Sequence, residues 1–435
     1  MDAKVTKRLR ILLLSQQNNP DWISVPLVGF HHSAALAHIH DVTLVTHIAN
    51  EKAILSAKAP FKRVQSIDLG VFETFYNWCF AHVFRGDHGS QILTAFRIPF
   101  YWAFEWFTYR IFAAALKAGE FDVVLRLTPV APVIPSLIAK RCRALGIPFI
   151  IGPINGGLPW PKGYSQAQRG KEWVSNLRFI YRMLPWARST YREASAIITG
   201  SSETYHEFRA FEDRLFFMPE NGIEEHRVID RIQSPTKKGP LRLLFVGRLI
   251  SIKGVDMAIR AAAELIRSER AEFTIIGDGE ERAALENLAK ELDVKVKFTG
   301  MLPHSEAMSY FRMSDVLIFP SIREFGGGVV FEALSTGCVP IVSNFGGPGD
   351  IIRDKRVGFA IDMHGEKYTE GAIKDILEKL DAHPELLSQM SRDGQRFARE
   401  ELSWKSKALK MTAIMNWTLG LSLKPSYKAP REILD

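Results

Sequence analysis

Val316-Leu317-Ile318-Phe319-Pro320-Ser321-Ile322-Arg323-Glu324-Phe325-Gly326-Gly327-Gly328-Val329-Val330-Phe331-Glu332-Ala333-Leu334-Ser335-Thr336-Gly337-Cys338-Val339-Pro340-Ile341-Val342 is the stretch around which the 435-residue chain is organised. An apolar run, a glycine-rich bend carrying one acid, a short helical segment carrying a second, a closing glycine and another apolar run predict strand, loop, helix, strand. That order is a βαβ unit.

The glycines let the backbone turn sharply and lie close to a ligand. The helix N-terminus adds unpaired N–H groups and a partial positive charge, so phosphate is its natural guest. Glu324 and Glu332 stand eight positions apart, the first after the strand and the second just over one turn into the helix. Each carboxylate can accept two hydrogen bonds from a vicinal diol, as an acidic residue does for ribose in dinucleotide-binding folds. Phosphate donors beside two diol acceptors fit a sugar nucleotide. A tight turn with a solvated Glu324 and a surface helix bearing Glu332 is the alternative that this stretch leaves open.

Length favours two domains over one core. Residues 1–220 hold 25 Lys/Arg against 17 Asp/Glu and residues 221–435 hold 31 of each, so the whole formal charge of +8 lies in the first half. Seven of the nine tryptophans are there too, which points to an anionic partner for that half, a membrane surface before nucleic acid. No nucleic-acid motif accompanies the charge, and none is expected to bind. Cys79, Cys142 and Cys338 are far apart, without metal-ligand spacing, which suggests reduced thiols and a cytoplasmic setting. Met1 to Pro20 has too short an apolar run for a signal segment.

Along the first half, strands are expected at 9–15, 42–46, 121–125, 148–151, 196–199 and 214–218, with a helix at 33–38. Gly29, just before that helix, is a candidate for close approach to a phosphate. His31, His32, His38 and His40 do not share a helical face in metal-ligand geometry, and no metal site is expected. Residues 71–112 are rich in aromatics, interrupted by Glu73, Arg85, Arg97, Glu105 and Arg110, so no run is long enough to span a bilayer. Packing into the core and resting on a membrane interface both remain open for it. The glycine- and proline-rich loop Gly152 to Pro161 is either an acceptor-side wall or a structural turn. Residues 234–240 predict a linker.

The second half alternates strands at 241–246, 272–277, 294–299, 316–320, 338–343 and 358–361 with helices between them. Short gaps favour parallel strands and right-handed crossovers. Its first turn carries Gly247, Arg248, Lys253 and Gly254 directly before a helix. Arg248 can grip phosphate oxygens bidentately and Lys253 adds a point charge, unless both are simply solvated. A final amphipathic helix is expected at 402–420, followed by an irregular tail.

Gly247-Arg248 with Lys253-Gly254, Ile275-Ile276-Gly277-Asp278-Gly279, Phe298-Thr299-Gly300 and the Glu324/Glu332 pair followed by Phe325-Gly326 resemble, in order, the family 4 retaining glycosyltransferases of GT-B fold. The resemblance covers about residues 240–350 firmly. It implies an α/β protein with two Rossmann-like, doubly wound parallel-sheet domains facing a cleft: an acceptor domain over 1–225, a sugar-nucleotide domain over 226–404, and residues 405–435 crossing back to the first. It implies that Arg248 and Lys253 hold the donor diphosphate, Glu332 the ribose and Glu324 hydroxyls of the sugar. Gly326, Gly327 and Gly328 would supply backbone N–H groups beside Phe325, with Gly247 and Gly29 as further donor-side positions.

Arg248, Lys253 and Glu324 are the catalytic candidates, with no metal and no cofactor beyond the nucleoside diphosphate sugar used as substrate. Many relatives carry a histidine or acid in the first domain beside the reacting carbon. Leu125 to Pro129 has no such residue, so no base is assigned there. The expected reaction is retaining transfer of a hexose-type sugar to a lipid-linked or cell-envelope glycan, at the inner face of the membrane. A sugar-nucleotide epimerase, a phosphorylase and a non-catalytic nucleotide-sugar sensor are the rivals.

Overall fold

The structure, a computed structural model, describes residues 8–70, 97–156, 158, 160–161, 163–164, 187–228, 239–353 and 356–430. Residues 71–96 of the aromatic stretch, Gly157 and Pro159 of the glycine-proline loop, residues 234–238 of the expected linker and the end of the tail lie outside them.

Two all-parallel sheets follow from two runs of buried, aliphatic strands. The first comprises β1 (Arg10–Ser15), β2 (Asp41–His47), β3 (Arg63–Ile67), β4 (Val123–Thr128), β5 (Phe149–Ile154), β6 (Ala196–Thr199) and β7 (Leu215–Phe217), in the order β3-β2-β1-β4-β5-β6-β7. The second comprises β8 (Leu241–Val246), β9 (Ala271–Ile276), β10 (Val296–Gly300), β11 (Val316–Phe319), β12 (Val339–Ser343) and β13 (Phe359–Ile361), in the order β10-β9-β8-β11-β12-β13. Both are doubly wound, Rossmann-like sheets, and each reverses direction between its first and fourth strands. Such a switch point opens a crevice at the carboxyl ends of the strands.

Central strands are mostly apolar because both faces are covered. β11 and β12 are buried along their whole length, and the core around them takes in Leu243, Phe245, Phe331, Ala333 and Leu334. The first sheet has one core on each face, one built on Leu12, Leu14, Phe104 and Ile151 and the other on Ile11, Leu13, Leu36 and Ile198.

Four elements differ from the expectation. The helix expected at 33–38 spans Val25–Ile39, so Gly29 lies inside it rather than before it. Pro26 reads as a breaker but occupies the first turn, where a missing N–H breaks no helical bond. Helix Ile48–Ser56 and strand β3 were not anticipated. β3 is an edge strand of mixed polarity, Arg-Val-Gln-Ser-Ile, paired only with β2, so it carries little apolar signal. A short helix, Gly346–Ile352, follows β12, where its glycines read as loop.

Within the aromatic stretch, helix Ile98–Lys117 packs into the first domain through Phe100, Tyr101, Phe104 and Phe112, and leaves Trp106 and Ile111 exposed. Glu105, buried on the same helix, accepts from Tyr101 Oη and Ser136 Oγ at 2.7 Å each. No helix among the described residues is long and apolar enough to cross a membrane.

The last helix, Trp404–Thr418, lies against helix Val25–Ile39 and buries Ala408, Met411, Ile414 and Met415 in the first domain's core. Its N-terminus is capped by Ser403 Oγ, which accepts from the Ser406 N–H at 3.1 Å. Beyond it the tail docks on the edge of the first sheet, where the Phe217 N–H donates to the Tyr427 carbonyl at 2.8 Å.

Candidate functional site

The two switch points face each other across a cavity of about 940 Å³. That is ample for a small-molecule ligand. Its second-domain wall is Glu324, Phe325, Gly326, Gly327, Gly328 and Glu332, which the structure brings together from the β11 loop and the helix after it. Its first-domain wall is Leu27, Val28, Phe30 and His31 of helix Val25–Ile39, with Asn155 after β5. The segment Glu220 to Glu224, which passes from the first sheet to the second, closes one end.

Gly327 takes φ 57°, ψ 42°, and starts helix Gly328–Thr336 with no side-chain cap on its first turn. A side chain at that φ would be strained, and a Cβ there would sit 2.8 Å from Pro348 Cγ. The start of this helix, without a side-chain cap, lines the cavity, and such N-termini suit anions.

Loops after β8 and β11 are neighbours because those strands pair at the switch point. Lys253 Nζ thereby reaches Glu324 Oε2 and forms a hydrogen-bonded ion pair with it. Lys253 also sits 5.1 Å from the Phe319 ring centre, over its face. The β8 loop is braced by the turn after β9: Leu249 N–H donates to the Asp278 carbonyl at 2.9 Å, and a Cβ on Gly277 would lie only 1.8 Å from the Gly247 carbonyl oxygen. Arg248, on the same loop, is exposed and, like Gly247 and Lys253, is not part of the cavity lining. Gly29 does not line it either. A Cβ on Gly29 would meet the Gln17 carbonyl at 2.5 Å, so this glycine brings its helix close to the β1 loop.

Glu332 accepts or shares a proton with His304 Nε2 at 2.8 Å. That hydrogen bond is the main cause of the raised His304 pKa, against which partial burial works. The pair places an imidazole beside the Glu332 carboxylate, a contact that nothing in the sequence context of His304 indicated.

The Pro219-Glu220-Asn221-Gly222 turn, just beyond the strand expected at 214–218, supplies the residue that sequence reasoning most clearly missed. Its signal was position, since it lies directly beyond the carboxyl end of β7. Burial first, and then the neighbouring Glu324, push the Glu220 carboxyl up to about 7, opposed by a hydrogen bond from Asn155 and by Lys407. His32 Nε2 lies 2.8 Å from the Glu220 carbonyl, and burial drives its pKa down to about 3. His31 stacks on Trp404 with ring centres 5.1 Å apart, and burial lowers its pKa as well. His31 and His32 thus serve the cavity wall and helix packing, His40 bonds the Leu9 N–H and Thr412 Oγ1, and His38 is exposed. The described residues contain no cluster of three His, Cys, Asp or Glu able to hold a metal.

In the first domain, Arg126 occupies the stretch that lacks a counterpart acid or histidine. It is fully buried, donates to the Ile134 carbonyl at 2.7 Å, and lies over the Tyr101 ring, so it serves the core. Across the cleft, Ser202 donates from its backbone N–H to Asp350 at 2.7 Å, and the Gly346 N–H donates to Glu203 at 3.3 Å. The short helices Ser202–Glu207 and Gly346–Ile352 each present an N-terminus to a carboxylate of the other.

Residues 227–397 match the family described as glycosyl transferases group 1. The second domain belongs to that family. The glycosyltransferase domain carries the whole glycine-loop wall of the cavity. Among curated proteins, the chain is 27% identical over 252 residues to glycogen synthase of Mycobacterium tuberculosis, covering 56% of this chain and 59% of that enzyme. The chain thus spans less than two thirds of that relative's length.

Among solved structures it resembles sucrose-phosphate synthase of Thermosynechococcus elongatus, with TM-score 0.61, 17% identity, and 95% of this chain and 100% of that one covered. It also resembles the Anabaena protein HepE in complex with UDP, with TM-score 0.59, 14% identity, and 93% and 99% covered. At such identities the likeness is one of fold, and the fold is GT-B.

Proposed function

We propose that this protein transfers a hexose-type sugar from a nucleoside diphosphate sugar to a lipid-linked or cell-envelope glycan, with retention at the anomeric carbon and without a metal. The observation that carries the reading is the uncapped N-terminus of helix Gly328–Thr336 opening on a cavity that also holds Glu324 and Glu332. N–H groups there suit a diphosphate, and the two carboxylates suit the diols of ribose and sugar.

As the glycosidic bond breaks, charge grows on the leaving diphosphate, and preorganised donors stabilise it. Lys253 would join them by leaving Glu324 as the donor enters. Arg248 extends from the same braced loop and would close on the phosphates from the cavity's edge. Glu324, released from Lys253, would accept from hydroxyls of the transferred sugar.

An acceptor with an apolar part is supported by Trp22 and Ile23, which are 50% and 85% exposed beside Pro20, Ser24 and Val25 at the cavity rim. Vesicles of anionic lipid should therefore co-sediment the protein at low salt, and Trp22→Glu with Ile23→Glu should weaken that. No sedimentation of the wild-type protein would remove the membrane part of the reading.

The donor site is tested by thermal stabilisation with UDP, GDP, ADP and their sugar conjugates, without added metal. One nucleotide series should raise Tm, and Arg248→Ala should reduce the shift. No shift from any of them would count against a donor site here.

A further inference from the structure

Glu220 is a carboxyl in the cleft wall that the proposed reaction does not use. Its Oε1 would be 2.7 Å from a Cβ placed on Gly326, so it rests directly against the glycine loop. On its other side Asn155 hydrogen-bonds it and also donates, from Nδ2, to the Phe325 carbonyl at 3.4 Å. Glu220 thus stands between a first-domain loop and the second-domain loop that carries Glu324.

The groups facing it offset a negative charge only in part. Glu324 has the same sign. Lys407, from helix Trp404–Thr418, is fully buried, donates to the Pro219 carbonyl at 2.6 Å, and is driven toward its neutral form by burial. His32 and His31, from helix Val25–Ile39, are both shifted toward neutral by burial. Among the described residues no cation lies within ion-pair distance of Glu220. Asn155 Oδ1 is a buried acceptor with no hydrogen-bond partner, and a protonated carboxyl on the facing Glu220 is a donor of the kind such an acceptor lacks.

We propose that Glu220 is a positioning residue that works as a neutral acid, holding the Glu324 to Gly326 loop against Asn155, and that nucleoside diphosphate binding is coupled to proton uptake at Glu220. The inference rests on the donor-site reading above. A diphosphate brings negative charge to a wall that already holds Glu324, so a second ionised carboxylate opposes binding and a protonated one does not. Linkage then requires that the ligand favour the protonated form and draw a proton from solution.

The test is calorimetric titration of UDP, GDP and ADP into the full chain and into Glu220→Gln at pH 7.5, in two buffers of different ionisation enthalpy. The wild type should take up a fraction of a proton beyond what Glu220→Gln takes up, and its affinity should fall severalfold from pH 6 to pH 8 relative to that variant. Equal proton linkage in both proteins would overturn the coupling.

A ligand-free arm keeps the two readings apart. A carboxyl held more protonated when folded loses stability as pH rises from its unfolded value toward 7, so wild-type Tm should drop relative to Glu220→Gln over that window. Glu220→Asp, which keeps a carboxyl, should retain a pH-dependent difference from Glu220→Gln. A constant Tm difference would overturn the neutral acid. A pH-dependent difference without binding of any diphosphate would remove the donor site, and the coupling with it, while leaving the neutral acid standing.

Discussion

Lys253 Nζ donates to Glu324 Oε2 across the switch point of the second sheet, so the cation proposed for the leaving group and the acid proposed for the sugar neutralise each other. Both side chains are largely shielded, at 13% and 21% exposure. Lys253→Ala should lower turnover by about 100- to 1,000-fold, the range seen when a transition-state charge stabiliser is removed, with little change in Tm. Steady-state rates beside a melting curve check this, and near-normal turnover would remove Lys253 from the mechanism.

A second link joins Asp350 to Ser202 across the domains. Burial first, and then Glu203, push the Asp350 carboxyl up to about 7. A raised carboxyl binds its proton more tightly in the folded state, so its effect is to reduce stability as pH climbs from the unfolded value to about 7. Asp350→Asn should therefore flatten the Tm profile between pH 5 and 8. If the variant and the wild type run parallel over that range, Asp350 does not titrate as the geometry implies.

Gly326 is confined by the crossing segment, and a Cβ there would stand 2.4 Å from Asn221 Nδ2. Gly326→Ala must push the loop away from Glu220 and Asn221. Loss of most of the nucleotide-induced Tm shift, with the ligand-free Tm lowered far less, is the expected result. An unchanged shift would mean that the loop's position is not needed for binding.

Trp404 stacks on His31, meets His32 edge-on at 4.8 Å, and lies over Gly222. It is buried where the last helix, the crossing segment and helix Val25–Ile39 converge. Trp404→Ala should cost about 3–5 kcal/mol, the usual range for an aromatic removed from a packed site. Urea unfolding measures it, and a cost under about 1 kcal/mol would show that this junction adds little.

Much of the architecture was readable from local pattern. Aliphatic runs such as Leu243-Leu244-Phe245 and Val316-Leu317-Ile318-Phe319 are bounded by glycine turns and separated by helix-length segments, and the structure turns each into a parallel strand. β3 escaped because its side chains are half polar. The first turns of helix Val25–Ile39 escaped because Pro26 and Gly29 break helices unless tertiary packing accepts them there. In the site, Glu324, Gly326 to Gly328 and Glu332 lie on one βαβ unit, so their common face needs no long-range information. Glu220, Asn155 and His304 come from three other segments, and no spacing rule connects them.

The sequence by itself determined two doubly wound sheets and the carboxylate-glycine-helix unit at the second one's switch point, because strand, turn and helix preferences act over a few residues. Only the tertiary structure decided that Lys253 closes on Glu324, that His304 meets Glu332, and that Glu220 lies shielded against Gly326. Those relationships depend on distance and desolvation between segments far apart in the chain: the first two arise as the second domain folds, and the third only when the crossing segment packs on the glycine loop.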